Sequence, residues 1–330
     1  MGGSLIFSYP KYYEDFRCIA DKCEDSCCQE WEVDVDDEAA AFYQNLPGEL
    51  GDRLRQVMKR IDGGVRLPIE NGRCPMWRQD GLCEIQFQEG HDALCHTCRT
   101  FPRLTHEYEG FTERDLELSC PEAARMIFTG DDRLVMGEPL PDTRDEILEI
   151  LLQSRSVAMD LLKDSTYSLP QKLIILLVYA HHVQSWIDDG EKAVLTPEDA
   201  LQLAANIQQQ GQISPILEFY QALEVLTQRW KDRLEMITAP VWDDRLARFM
   251  TYGIRRYWLQ AVSDWDLLCR VKFLIGGCIL LAHLGGDLVA TAQLWSKEIE
   301  NDPDNVERLL DGAYTSPAFT DLNLISLLKA

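Results

Sequence analysis

The chain has 330 residues, 46% apolar and 26% charged, with a formal net charge of −23. That length and balance exclude a disordered polypeptide and allow a large core, with about two domains as the ordinary expectation. The acidic excess argues against nucleic acid, whose affinity comes from Lys and Arg on phosphates. It suits solubility, or attraction of cationic partners such as lysine-bearing protein segments.

No apolar run reaches the roughly 18 residues of a membrane span. The nearest, Phe273 to Leu284, contains Gly276-Gly277 and reads as a buried helix. The start, MGGSLIFSYPKYY, lacks the basic and long apolar regions of a secretory signal. Ile6 stands where a myristoylation pattern needs Ser or Thr. A cytoplasmic location with reduced thiols is therefore expected.

In chain order, residues 1 to 15 read as extended. Asp34 and Asp36 offer N-caps for a helix through Tyr43, and a second helix runs from Glu49 to Ile61, stopped by Gly63-Gly64. Asn71-Gly72 and Asp80-Gly81 are turn dipeptides around Cys74 and just before Cys83, predicting a small hairpin that carries cysteines. A short helix over Phe87–Ala93 precedes Cys95-His96-Thr97-Cys98. A second hairpin is expected from Leu104–Tyr108 and Phe111–Leu118 around Glu109-Gly110, and Pro121 suits the first turn of a helix to Phe128.

From Asp142 onward the spacing is helical, as in Ile147, Leu148, Leu151 and Leu152, with seven or eight helices expected. Gly130, Gly137, Pro139 and Pro141 place a boundary near 130–142. The fold class is therefore mainly α: a cysteine-rich metal-binding region with short β-hairpins over 1–135, then an all-α helical domain over 136–330.

Nine of the 11 cysteines precede residue 121, four of them within FRCIADKCEDSCCQEW (Phe16 to Trp31). An odd number does not close a disulfide framework, and crowded cytosolic cysteines point to metal or catalysis. On a helix Cys23 and Cys27 would share a face while Cys28 pointed about 100° away, so a loop or two metal sites is implied. Cys95 and Cys98 form a C-x-x-C clip of the kind used by zinc and iron–sulfur sites. Cys74 and Cys83 could complete such a site, and the ligand chemistry leaves zinc and iron–sulfur open. Cys269 and Cys278, in apolar helical runs, read as buried core cysteines.

Other constellations are weak. No GxGxxG or Walker loop occurs, nor the C-x-x-x-C-x-x-C spacing that binds a radical-generating cluster. His91, His96 and His106 lie among the cysteines as possible ligands or ligand supports. His181-His182 and the aromatics Tyr252, Tyr257 and Trp258 read as structural. Cys27-Cys28 or Cys95/Cys98 as exchanging thiols would suit a redox or metal-trafficking protein.

Four blocks in order, FRCIADKCEDSCCQEW, NGRCPMWRQDGLCEI, LCHTCRTFPRL and LELSCPEAARMIF, resemble the flagellin lysine-N-methylase (FliB) family. The region they span, about residues 14 to 128, is also similar to cysteine-rich proteins described as zinc- or iron-chelating. The resemblance implies a protein-lysine N-methyltransferase that acts on flagellin or another lysine-presenting protein, uses S-adenosylmethionine and carries a [4Fe–4S] cluster, with zinc as the alternative metal. It implies a ligand pool of Cys18, Cys23, Cys27, Cys28, Cys74, Cys83, Cys98 and Cys120, and leaves Cys95 outside the fixed set. No residue reads as a catalytic base. The alternative is a non-enzymatic zinc- or iron-binding interaction module.

Overall fold

The computed structural model describes residues 6–61, 63–136, 145–193 and 196–329. Its first part mixes short strands and helices: β1 (Ile6–Pro10), α1 (Tyr12–Asp15), β2 (Val33–Val35), α2 (Asp37–Asn45), α3 (Gly48–Val57), β3 (Lys59–Ile61) and β4 (Gly64–Leu67). There follow α4 (Glu84–Glu89), α5 (His96–Thr100), β5 (Arg103–Tyr108), β6 (Phe111–Leu116), α6 (Pro121–Thr129) and β7 (Leu134–Met136).

The remainder is helical: α7 (Glu146–Lys163), α8 (Leu169–Asp189), α9 (Pro197–Ala205), α10 (Ser214–Gln221), α11 (Gln228–Glu235) and α12 (Leu246–Tyr257) come first. They are followed by α13 (Leu267–His283), α14 (Leu288–Ile299), α15 (Pro303–Thr315) and α16 (Asp321–Lys329). The molecule is mainly α, as expected, and its strands form two small sheets rather than hairpins alone.

The second part holds more helices among the described residues than the seven or eight expected. Thr227 explains one extra break: its hydroxyl accepts the Trp230 amide and caps α11 where no Gly or Pro marks a stop. The boundary expected at 130–142 falls partly on 137–144, outside the described residues.

One sheet has the order β5-β6-β1-β7, and the other the order β2-β4-β3. The β5/β6 hairpin turns at Gly110, whose φ of 81° is costly for other residues. β1 then pairs parallel with β6, Ile6 opposite Phe111, and antiparallel with β7. Neither partner is visible in the local pattern. The cysteine-bearing hairpin at 71–83 is corrected: its turns form, yet only isolated bridges, Glu70 with Arg73 and Trp77 with Cys83, join its arms. The arms are too short for a ladder, and Pro75 supplies no amide donor.

Two apolar cores result. A small one gathers Val33, Val35, Tyr43, Leu50, Leu54, Met76, Ile85 and Leu94 with Cys74 and Cys95. The large one joins the helical part to Tyr12, Phe16, Leu116, Leu118 and α6. At its centre α13 is buried at every position. Gly253, Gly276 and Gly277 let it lie close to its neighbours: a Cβ at the first two would strike Leu274 and Phe319, and one at Gly277 would crowd Trp295. Its cations are paired, Arg270 with Asp264 and Lys272 with Asp321, at 2.8 and 2.9 Å. No described helix is long and apolar enough to cross a membrane.

Candidate metal centre

All 11 cysteines are free thiols. The segment from Phe16 to Trp31 is a loop around one 3₁₀ turn, Ala20–Lys22, with Ala20 and Glu30 at φ of 52° and 72°. A regular helix is thus absent, and the adjacent pair Cys27-Cys28 lies where two groups of cysteines meet.

Cys28 belongs to the small core. Its carbonyl accepts the Cys74 amide at 2.8 Å, and Gln29 bridges Arg73. The Cys74 carbonyl accepts the Trp77 amide, and Trp77 pairs with Cys83, the residue before α4. Cys95 precedes α5 and Cys98 lies within it. A single carboxylate positions this clip: Asp36 Oδ1 accepts the Ala39 amide and caps α2, while Oδ2 accepts the His96 amide at 2.6 Å. Those two amides hold the Asp36 carboxyl below its usual range. The cap is legible in the sequence; the link to α5 is not.

Cys27 adjoins Cys28 and Cys98 and also reaches a second group. Its carbonyl accepts the Trp31 indole N–H, and its thiol neighbours include Cys18 and Cys120. Cys120 precedes Pro121 at the start of α6, and burial, followed by nearby Cys23 and Cys18, pushes its thiol up to about 12. Cys18, Cys23 and Cys120 thus form one neighbourhood, with Cys27 between it and the next. Cys28, Cys74, Cys83, Cys95 and Cys98 form the other, with Cys74 also raised to about 12, chiefly by burial.

Two thiol pairs act strongly on each other. The Cys27 thiol holds Cys28 down at about 7 despite its burial, and Cys98 lowers Cys95 likewise. Cys27 and Cys98 are raised in turn. Among the described residues no three or more His, Cys, Asp or Glu side chains close into a ready metal cage. The soft donors fit zinc or iron–sulfur ligation in kind; the fold supplies them as two groups joined through Cys27.

Of the histidines expected as ligands, His96 opens α5 between Cys95 and Cys98. His91 lies 3.8 Å from Asp92, and the charged neighbours of His106 on β5 are Arg256 and Glu113. Cys269 and Cys278 sit on buried α13, both raised by desolvation.

A group that single-sequence reading missed holds the loop in place. Asp25 Oδ1 receives Lys297 Nζ at 2.7 Å and Arg229 Nη2 at 2.9 Å. Glu30 receives the same two cations, and Lys297 also lies 5.1 Å from the Trp31 ring centroid. Gln293 Nε2 donates to Asp25 Oδ2 and to the Ser119 carbonyl, at 2.9 and 2.7 Å. α14 thereby draws the loop of Cys23 and Cys27 against the residue before Cys120. Lys297 and Gln293 carry no local signal beyond being polar residues on a helix among apolar ones.

Flagellar biosynthetic protein FliU of Salmonella muenchen is 30% identical over 156 residues, which cover 45% of this chain and 92% of FliU. The chain belongs to the FliB/FliU family. Lysine-N-methylases of Salmonella choleraesuis and Salmonella typhimurium are each 29% identical over 141 residues, 41% of this chain. The match spans 35% of the length of those two relatives. No protein-family model matches the chain, and no solved structure does.

Proposed function

We propose that this FliB/FliU relative is a protein-lysine N-methyltransferase that takes the methyl group of S-adenosylmethionine to lysine side chains of flagellin, in the cytoplasm. The observation that carries the reading is the similarity to two lysine-N-methylases. The transfer needs a neutral amine held in line with the sulfonium methyl, and a group that accepts the amine proton. The acidic surface suits a lysine-bearing partner.

The thiols of Cys18, Cys23, Cys27, Cys28, Cys74, Cys83, Cys98 and Cys120 would hold the metal, a [4Fe–4S] cluster or zinc, with Cys95 beside Cys98 as a further donor. Bound there, the group would cross-link the 16–31 loop to the segments that follow and couple metal binding to folding. Region 1–135 would then be the metal-binding part and 136–330 the helical platform.

Purified protein incubated with cognate flagellin and methyl-labelled donor tests the reading. Label on flagellin lysines is the expected result, and none on any lysine removes it. The second reading, a non-enzymatic zinc- or iron-binding interaction module, is favoured by the limited 35% span of the methylases. It predicts bound metal and flagellin capture without label.

A further inference from the structure

Away from the thiols, the four-stranded sheet faces α7 and α12 across a cavity of about 760 Å³. That volume lies within the range of small-molecule sites, roughly 300–1,000 Å³. Strands β1, β5, β6 and β7 supply Ser8, His106, Asp115 and Leu134 to its wall. Lys and Arg outnumber Asp and Glu around it, the reverse of the chain as a whole.

Three wall residues carry buried polar atoms with no hydrogen-bond partner: His106 Nε2, Asp115 Oδ2 and Arg255 Nε. Such atoms are costly to leave unpaired and call for a reason. The rest of each group is held firmly. Asp115 is 5% exposed, and its Oδ1 accepts the Tyr12 hydroxyl at 2.6 Å and the Leu116 amide at 2.8 Å. Arg255 Nη2 donates to the Asp132 carbonyl at 2.9 Å and Nη1 to the Tyr12 hydroxyl at 3.3 Å. Arg255 Nη1 and Asp115 Oδ2 are 3.9 Å apart, an ion pair too long to satisfy the oxygen by a hydrogen bond.

An unfilled acceptor therefore stands beside an unfilled donor. A simple anion would leave Asp115 unpaired and repel it; a simple cation would do the same to Arg255. A ligand bearing both charges on neighbouring atoms satisfies both.

We propose that this cavity binds a small molecule with an α-amino acid group, its ammonium on Asp115 and its carboxylate on Arg255. Resting on the methyltransfer reading above, the ligand is the methyl donor, whose nucleoside occupies the remaining space.

Calorimetric titration of the full chain with S-adenosylhomocysteine, the demethylated donor, tests this. Binding by the unaltered protein is expected, weakened at least tenfold by Asp115→Asn. Ser156→Trp, at an exposed wall position on α7, is expected to weaken it likewise by filling the cavity, so the test survives if Asp115→Asn fails to fold. Undiminished binding in folded variants overturns the cavity assignment and leaves the methyltransferase reading standing. Failure of the unaltered protein to bind overturns the cavity proposal, while label transferred to flagellin in the separate assay keeps that reading intact.

Discussion

The ammonium of Lys297, 1% exposed, lies 2.7 Å from the carboxylate of Asp25, 272 positions earlier. This pair ties α14 to the loop that carries Cys23, Cys27 and Cys28. Burial alone would raise the Asp25 carboxyl, yet Lys297, Gln293 and Arg229 hold it below its usual value. Removing one partner of a buried pair strands the other charge, at a cost of about 3–5 kcal/mol. Lys297→Met is therefore expected to lower the urea midpoint by a corresponding amount. Because the depressed carboxyl favours the folded state only when ionised, that contribution is lost as pH falls below about 4. The variant should accordingly show a flatter stability profile on the acid side; a wild-type midpoint and profile would refute the role given to Lys297.

On the proposed metal-binding reading, the two thiol neighbourhoods predict how bound metal responds to substitution. Cys120→Ser and Cys74→Ser each remove a soft donor from a different pool, and each is expected to lower the metal and sulfide content of purified protein. Cys278→Ser, inside α13, is expected to leave that content unchanged. Elemental analysis reads the result, and equal content in all three would show that the pools are structural only.

Histidine burial gives the protein a second pH dependence. Burial, then Arg256, depresses His106, with Glu113 opposing, and burial depresses His283. The unfolded chain takes up these protons first, near pH 6.5, so stability falls as pH drops below about 6.5. Asp115 and Glu117, raised chiefly by burial, act in the opposite sense: they favour the folded state at low pH and lose that contribution as pH rises. Comparing His106→Gln with the parent isolates the histidine. The variant is expected to lose less stability between about pH 7.5 and pH 5.5; equal losses in urea melts would show that His106 does not titrate this way.

Gly211 packs against the last helix. A Cβ there would meet the Leu327 amide nitrogen and the Ser326 carbonyl carbon, backbone atoms that cannot rotate away. The neighbouring Gln212 amide donates to Asn323 Oδ1 at 3.0 Å, which fixes the register of α16. Gly211→Ala is expected to cost about 1–3 kcal/mol by overpacking. Thermal melting checks this, and an unchanged midpoint would mean that α16 moves freely.

Much of the local structure was legible because its causes are local. Asp36 caps α2, Pro121 opens α6, and Glu109-Gly110 turns the β5/β6 hairpin, each through groups within a few residues. The helical spacing after residue 145 was legible for the same reason. β7 and the parallel pairing of β1 with β6 were not, since a strand's partner lies far along the chain. In the cysteine-rich region the sequence showed the thiols and their blocks. It did not show that Cys27 joins Cys28 and Cys98 on one side to Cys18 and Cys120 on the other, a consequence of which distant segments fold against the loop.

The sequence by itself determined the helical character of the second part, the crowding of the cysteines and the family resemblance, because composition, periodicity and spacing are properties of neighbours. Tertiary structure alone decided that Lys297 and Gln293 secure the 16–31 loop, and that Tyr12, Asp115 and Arg255 meet beside one cavity. Burial does this: a charge removed from water needs a partner within a few ångströms, and folding brings that partner from hundreds of residues away.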